Sequence, residues 1–177
     1  MHFTTTATLA LAASGTSLAK PLNFTSQIFG LTAFGSQLDG WAVVNAHVGA
    51  GQDAVIIQRP SAYTPDKAVL TGTAGSIKSG FEVLNFHPNQ PISMIIPSSP
   101  DGVLSQVFSE YGDASAVFSV NAQNELVVAA AGTTFFACPT EVGGLGKVFG
   151  LFFGTEVPPK VIKNKACKPI SLRATVV

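Results

Sequence analysis

The side chains in this sequence that could do chemistry are few: two cysteines, three histidines and ten carboxylates among 177 residues. Cys138 closes the apolar run "TTFFACP", and Cys167 lies in "NKACKPISL". Two thiols can hold a metal, act as a nucleophile or form a staple. A zinc site needs about four ligands. Beyond the first residues only His47 and His87 could add to the cysteines, and no short-spaced ligand pair is present. A cysteine nucleophile needs a nearby base and a reduced thiol. The choice therefore turns on the compartment.

Residues 1–19, "MHFTTTATLALAASGTSLA", carry a short polar start, an Ala- and Leu-rich stretch and the small-x-small ending Ser17-Leu18-Ala19. That order is expected of a secretory signal peptide cleaved before Lys20. The apolar stretch is shorter than the roughly 20 residues of a membrane span, and "VFGLFFG" is short and broken by Gly150 and Gly154. The mature protein is thus expected to be extracellular, secreted or wall-bound, with no membrane partner. In an oxidising compartment two cysteines in a small domain pair. The expectation is a Cys138–Cys167 disulfide, and a closed loop of about 30 residues corresponds to roughly 3.5 kcal/mol of stabilisation. Residues 20–27 read as a short linker with one glycosylation sequon at Asn23-Phe24-Thr25.

Catalytic sets are not selected by any motif. In "GGLGKVFG" Val148 follows Lys147, so the phosphate-loop pattern fails. There is no G-x-S-x-G elbow. A Ser-His-Asp set could draw on His47 or His87 with many serines, yet nothing picks one. Glycoside hydrolysis needs two opposed carboxylates. Asp39, Asp101 and Asp113 sit in apparent turns, and Glu82 and Glu125 are on strands that should face them to solvent. No catalytic residue, metal or cofactor is expected, and the chain reads as a non-enzyme. Three aromatic side chains could stack on the apolar face of a sugar. Tyr63 in "RPSAYTP" and Tyr111 in "SEYGD" lie in turns, whereas Trp41 starts an alternating strand where core packing is the competing use.

Composition narrows the partners. Charged residues are 11% of the chain, against a usual ~25%, and the net charge is zero. A nucleic-acid binder would carry a basic excess. With 46% hydrophobic residues the chain is not disordered. A low-charge surface is compatible with neutral wall polysaccharides, glucan or mannan. Lys160, Lys163, Lys165, Lys168 and Arg173 follow the last acid, Glu156. They read as a solvated edge strand guarded by lysines, or as a basic tail for an acidic or phosphorylated wall polymer.

The elements that must position these residues are short strands. "GWAVVNAHVGAG" alternates, with Trp41, Val43, Asn45 and His47 on one face and Ala42, Val44, Ala46 and Val48 on the other. "AVIIQ", "KAVLTG", "FEVLNF", "ISMIIP", "KVFGLFFG" and "KPISLRATV" are further strands between Gly-, Pro-, Asn- and Ser-rich turns. "AVFSV", "NAQN" and "ELVVAAA" predict a hairpin, and "TTFFACP" the next strand, ending at Cys138. "SPDGVLSQVFSEYGD" suits a helix capped by Asp101 or a pair of strands, and strands fit better. The fold class is all-β: one domain over residues 28–177, a β-sandwich or barrel-like, with a β-trefoil as the alternative.

"AVFSVNAQNELVVAAAGTTFFACP", "KVFGLFFG" and "ACKPISLRA" together resemble the C-terminal domain of fungal PIR-type cell-wall mannoproteins. The matching positions are Phe135-Phe136-Ala137-Cys138 and Cys167-Lys168-Pro169-Ile170-Ser171-Leu172. The whole chain, with "FGLTAFGS" after the leader, is also similar to PhiA-type and IgE-binding fungal wall proteins. Ala33-Phe34-Gly35-Ser36 stands where the PhiA type has an Arg-bearing opening, and the PIR repeats that link to glucan are absent. The resemblance implies a secreted, non-enzymatic, structural protein of the fungal wall or surface. The competing expectations are a carbohydrate-binding module and a secreted effector or allergen-like protein.

Overall fold

The fold is seen in a computed structural model, which describes residues 27–49, 51–60, 65–70, 81–83, 92–97, 104–111, 118–130, 132–155 and 167–177. All its regular elements are strands: β1 (Phe29–Phe34), β2 (Ala42–Gly49), β3 (Gln52–Gln58), β4 (Ala68–Leu70), β5 (Phe81–Val83), β6 (Ile92–Ile95), β7 (Leu104–Gln106), β8 (Phe108–Tyr111), β9 (Phe118–Val120), β10 (Leu126–Val128), β11 (Thr134–Val142), β12 (Gly146–Gly154) and β13 (Lys168–Val176). The leader and Asn23 lie outside the described residues.

The pairings close a barrel-like ring in the order β1, β2, β3, β12, β11, β13 and back to β1. Its closure is uneven: β1 meets β2 at the single pair Thr32↔Ala42, and β3 meets β12 only at Ile57↔Phe149 and Ile56↔Gly150. The ring takes three strands from each end of the chain. A trefoil would repeat one hairpin unit three times, so the barrel-like alternative is the one adopted. Strand periodicity fills the ring, because every second residue points inward. Phe29, Leu31 and Ala33 of β1, Val55 and Ile57 of β3, Leu151 and Phe153 of β12, and Ile170, Leu172 and Ala174 of β13 share one core. The opposite face of β2 and β3 is dry as well, since Ala42, Val44, Ala46, Ala54 and Ile56 are buried with Val142. Burial on both faces explains why "AVIIQ" is continuously apolar rather than alternating.

Where β3 and β12 part, another strand enters. Val107 is fully buried between them: its N–H donates to Leu151 O (2.8 Å), and its carbonyl accepts from Val55 N–H (3.2 Å). β7 then continues along β12, and β8 along β3. This resolves the segment "LSQVFSEY", residues 104–111, as strand, because a helix would satisfy its own backbone and leave both edges of the fork unpaired. β9 and β10 form the expected hairpin, turned by Asn121, whose Oδ1 accepts from the N–H groups of Gln123 (3.0 Å) and Glu125 (2.9 Å).

Cys138 and Cys167 form a disulfide, with Cα atoms 4.1 Å apart. Ala137 pairs with Lys168 on the adjacent rung, so the bond joins neighbouring strands side by side. Two expectations are corrected here. Cys138 does not end its strand: β11 runs on through Pro139 to Val142 along β12. The proline is tolerated because the β11–β13 ladder stops at Ala137, leaving a partner on one side only. Nor is β13 an edge strand, since it is paired with β1 on one side and β11 on the other. Lys168 Nζ donates to Gln37 Oε1 (2.9 Å), and the Arg173 guanidinium stacks 3.9 Å from the Phe34 ring centre. The lysines at 160, 163 and 165 lie outside the described residues.

Candidate functional site

Two groupings of functional side chains occupy opposite ends of the inward face of β2 and β3. The first follows from Trp41, Val43, Asn45 and His47 sharing that face. β2 has β1 beside it only at Ala42, so the next edge groups of β2 need other partners. Asp66 supplies them. Its N–H donates to Val43 O (3.2 Å), and its Oδ2 accepts from Asn45 N (2.6 Å) and Asn45 Nδ2 (2.8 Å). Asp66 reaches this edge because Pro65 packs on Gly30, where a Cβ would lie 2.8 Å from the proline Cβ. Asn45 Oδ1 in turn accepts from the fully buried Ser109 Oγ (2.6 Å).

His47 and Asp53 face each other across the β2–β3 ladder, and the buried Asp53 carboxylate accepts from His47 Nδ1–H at 2.9 Å. Ser109 is the register neighbour of Asp53 on β8, so the topology assembles a serine, a histidine and an aspartate on three adjacent strands. They do not form a nucleophilic set. Ser109 is 0% exposed and spends its proton on Asn45, whereas the His47 side chain is 67% exposed. This grouping works as an internal strut. Asn45→Ala removes the acceptor of a buried hydroxyl and one bond to Asp66, and an orphaned buried polar group costs about 1–3 kcal/mol. Urea unfolding of Asn45→Ala should show a loss in that range.

The second grouping is a cleft at the other mouth of the ring. Past the pair Ile57↔Phe149, β3 and β12 diverge, and a cavity of about 400 Å³ opens between them. Its lining includes Trp41, Ile57, Arg59, Pro139, Lys147 and Phe149. Trp41 and Phe149 are half-buried against the core and meet edge to face, with ring centres 6.0 Å apart and planes at 77°. The Arg59 guanidinium lies 5.3 Å from the Trp41 ring centre. Such a stack contributes about 0.5–1 kcal/mol where exposed, and it holds a long side chain at the rim. Arg59 and Lys147 are both exposed, one on each wall.

The aromatic side chains singled out by sequence do not share a platform. Trp41 both packs on the core and lines the cleft. Tyr111, 43% exposed, lies against Gly51 at the far end of β3; Gly51 has φ +76° and room for a Cβ only 3.4 Å from the Tyr111 ring. At about 3.3 Å per residue, the two rings stand roughly 25 Å apart along β3. Tyr63, His87 and Asn23 lie outside the described residues. Glu82 is placed on β5 and Glu125 on the β9–β10 hairpin, where Asn121 Nδ2 donates to Glu125 Oε2 (3.1 Å). Among the described residues no cluster of three or more His, Cys, Asp or Glu is placed to hold a metal ion, and no helix is long and apolar enough to cross a membrane. Sequence reading missed Arg59, Lys147 and Phe149 as cleft residues. The available signal was parity: Arg59 lies two positions beyond the inward Ile57, and Lys147 two before Phe149.

A family model described as a domain of unknown function (DUF7907) matches residues 20–176. No curated protein and no solved structure matches the chain.

Proposed function

The chain belongs to the DUF7907 family, and from its own residues we propose that it is a secreted, non-enzymatic structural protein of the fungal cell wall or cell surface, in contact with wall polysaccharide. The observation that carries this reading is the Cys138–Cys167 bond in a chain with no other thiol, because disulfides persist in oxidising compartments. The family match begins at Lys20, the residue after the proposed cleavage site, which supports residues 1–19 as a leader. The likeness of the segments around both cysteines to PIR-type and PhiA-type wall proteins supports the wall assignment. The open cleft around Trp41 favours the second reading, a carbohydrate-binding module, which differs in making sugar contact the main task rather than an accessory to it.

Fractionation of the native protein between medium and wall, with and without reducing agent, tests the reading. The mature chain should start at Lys20 by mass spectrometry and partition at least partly with the wall. An intact Met1, or a protein found wholly inside the cell, would overturn it.

A further inference from the structure

We propose that the mouth formed by Trp41, Arg59, Lys147 and Phe149 binds an anionic polysaccharide, a sugar polymer bearing carboxylate or phosphate groups. This deepens the wall-contact reading by assigning a site and a polymer class. The starting point is the short β3–β12 ladder, with two rungs and a fork at each end. At one fork the gap is filled by Val107, which bonds to both strands. At the other the described residues leave the gap open as the cleft of about 400 Å³, within the range of sites that hold small ligands.

The lining decides what fits. The apolar side chains are Trp41, Ile57, Pro139, Val148 and Phe149, Gln58 is the one neutral polar group, and the ionic groups are the cations Arg59 and Lys147. Among the described residues no carboxylate contributes to the lining. Glu141 pairs in register with Lys147 but stands outside it. An apolar floor between two cations matches a ring with a flat apolar face and negative groups at its edges, which describes a uronate or a phosphorylated sugar. Stacking on Trp41 fixes the Arg59 guanidinium at the rim, and its planar fork suits bidentate capture of a carboxylate or phosphate. A neutral glucan would leave both cations unused. The protein has zero net charge, so this is a local anion site rather than a general polyanion surface.

Trp41 is the only tryptophan, so its fluorescence reports directly on the cleft. The purified secreted chain is titrated with polygalacturonate, phosphorylated mannan, neutral laminarin and single-stranded DNA, with affinity electrophoresis run in parallel. The first two polymers distinguish the carboxylate from the phosphate source. At least one of them should shift Trp41 emission and retard the protein, more weakly at high salt, while laminarin does neither. Arg59→Gln and Lys147→Gln should each weaken binding about tenfold, as for loss of a charged hydrogen bond. Both positions are exposed, so Lys147→Gln should melt like the wild type, and Arg59→Gln should stay folded and melt no more than about 4 °C lower for its lost stack on Trp41. Arg59→Lys should recover less than half of the loss, because the planar fork is gone. Binding unchanged when Arg59→Gln and Lys147→Gln are combined, equal binding to laminarin, stronger binding to DNA, or no response to either anionic polymer overturns the proposal. A protein that fractionates with the wall but fails this titration loses the site and keeps its wall assignment. One that binds here but remains wholly in the medium keeps the site and loses the wall assignment.

Discussion

Replacing Cys138 and Cys167 together by serine is expected to lower stability by roughly 2–5 kcal/mol, the usual cost of losing a native bridge in a small secreted domain. The bond matters more here than loop length suggests. It ties β13 to β11 at the rung next to Ala137↔Lys168, where the ladder between these strands is only three residues long. β13 also carries the six-residue ladder to β1, so it is the strand through which the two ends of the chain meet. Without the bond, the 29-residue separation must be closed by strand pairing alone. Both cysteines are replaced so that no free thiol confuses the result. Denaturant unfolding of the oxidised protein and the double variant measures the difference, and non-reducing peptide mapping checks the bond. Two freely alkylated cysteines in the native protein, a covalent dimer, or a loss under about 1 kcal/mol would contradict the role assigned to it.

Val107→Asp is expected to cost more than about 4 kcal/mol, enough to leave most of the chain unfolded given the stability of ordinary domains. Val107 is 0% exposed and is the residue at which one strand passes from β12 to β3. Its backbone bonds to Leu151 and Val55 would survive only if a carboxylate entered the apolar core to which Leu151, Met94 and Val55 belong. No described cation lies in that core, so the charge would be buried unpaired. Val107→Ile keeps the strand and the apolar character, and should cost no more than the 1–3 kcal/mol of overpacking. Circular dichroism and denaturant midpoints of the two variants separate the effects. A folded Val107→Asp protein of near wild-type midpoint would show that the fork is not filled as described.

Much of the fold was legible because strand signals are local. Alternation in "GWAVVNAHVGAG" put Val43 and Val44 on opposite faces, and the structure puts them in two different cores. The Asn-rich turn at Asn121 was readable, since its side chain bonds its own backbone within four residues. Cys138 was misplaced at a strand end for the opposite reason. Pro139 reads as a stop in isolation, and only the extent of the β13 ladder shows why β11 can run through it. The lysines and arginine of the last strand suggested an edge, but Lys168 and Arg173 are occupied by Gln37 and Phe34, residues more than 130 positions away in the chain.

By itself, the sequence determined that the chain is all-β, which residues alternate inward, and that two cysteines have only each other to pair with. These depend on neighbours a few residues apart, or on there being two thiols and no third. Only the tertiary structure decided which strands close the ring, that Val107 fills one fork, and that Trp41, Arg59 and Lys147 surround the other. Those outcomes depend on ladders between distant segments. Arg59 and Lys147 lie on strands whose sequences carry no mark of each other, and they share a cleft because Ile57 and Phe149 are the last pair before β3 and β12 diverge.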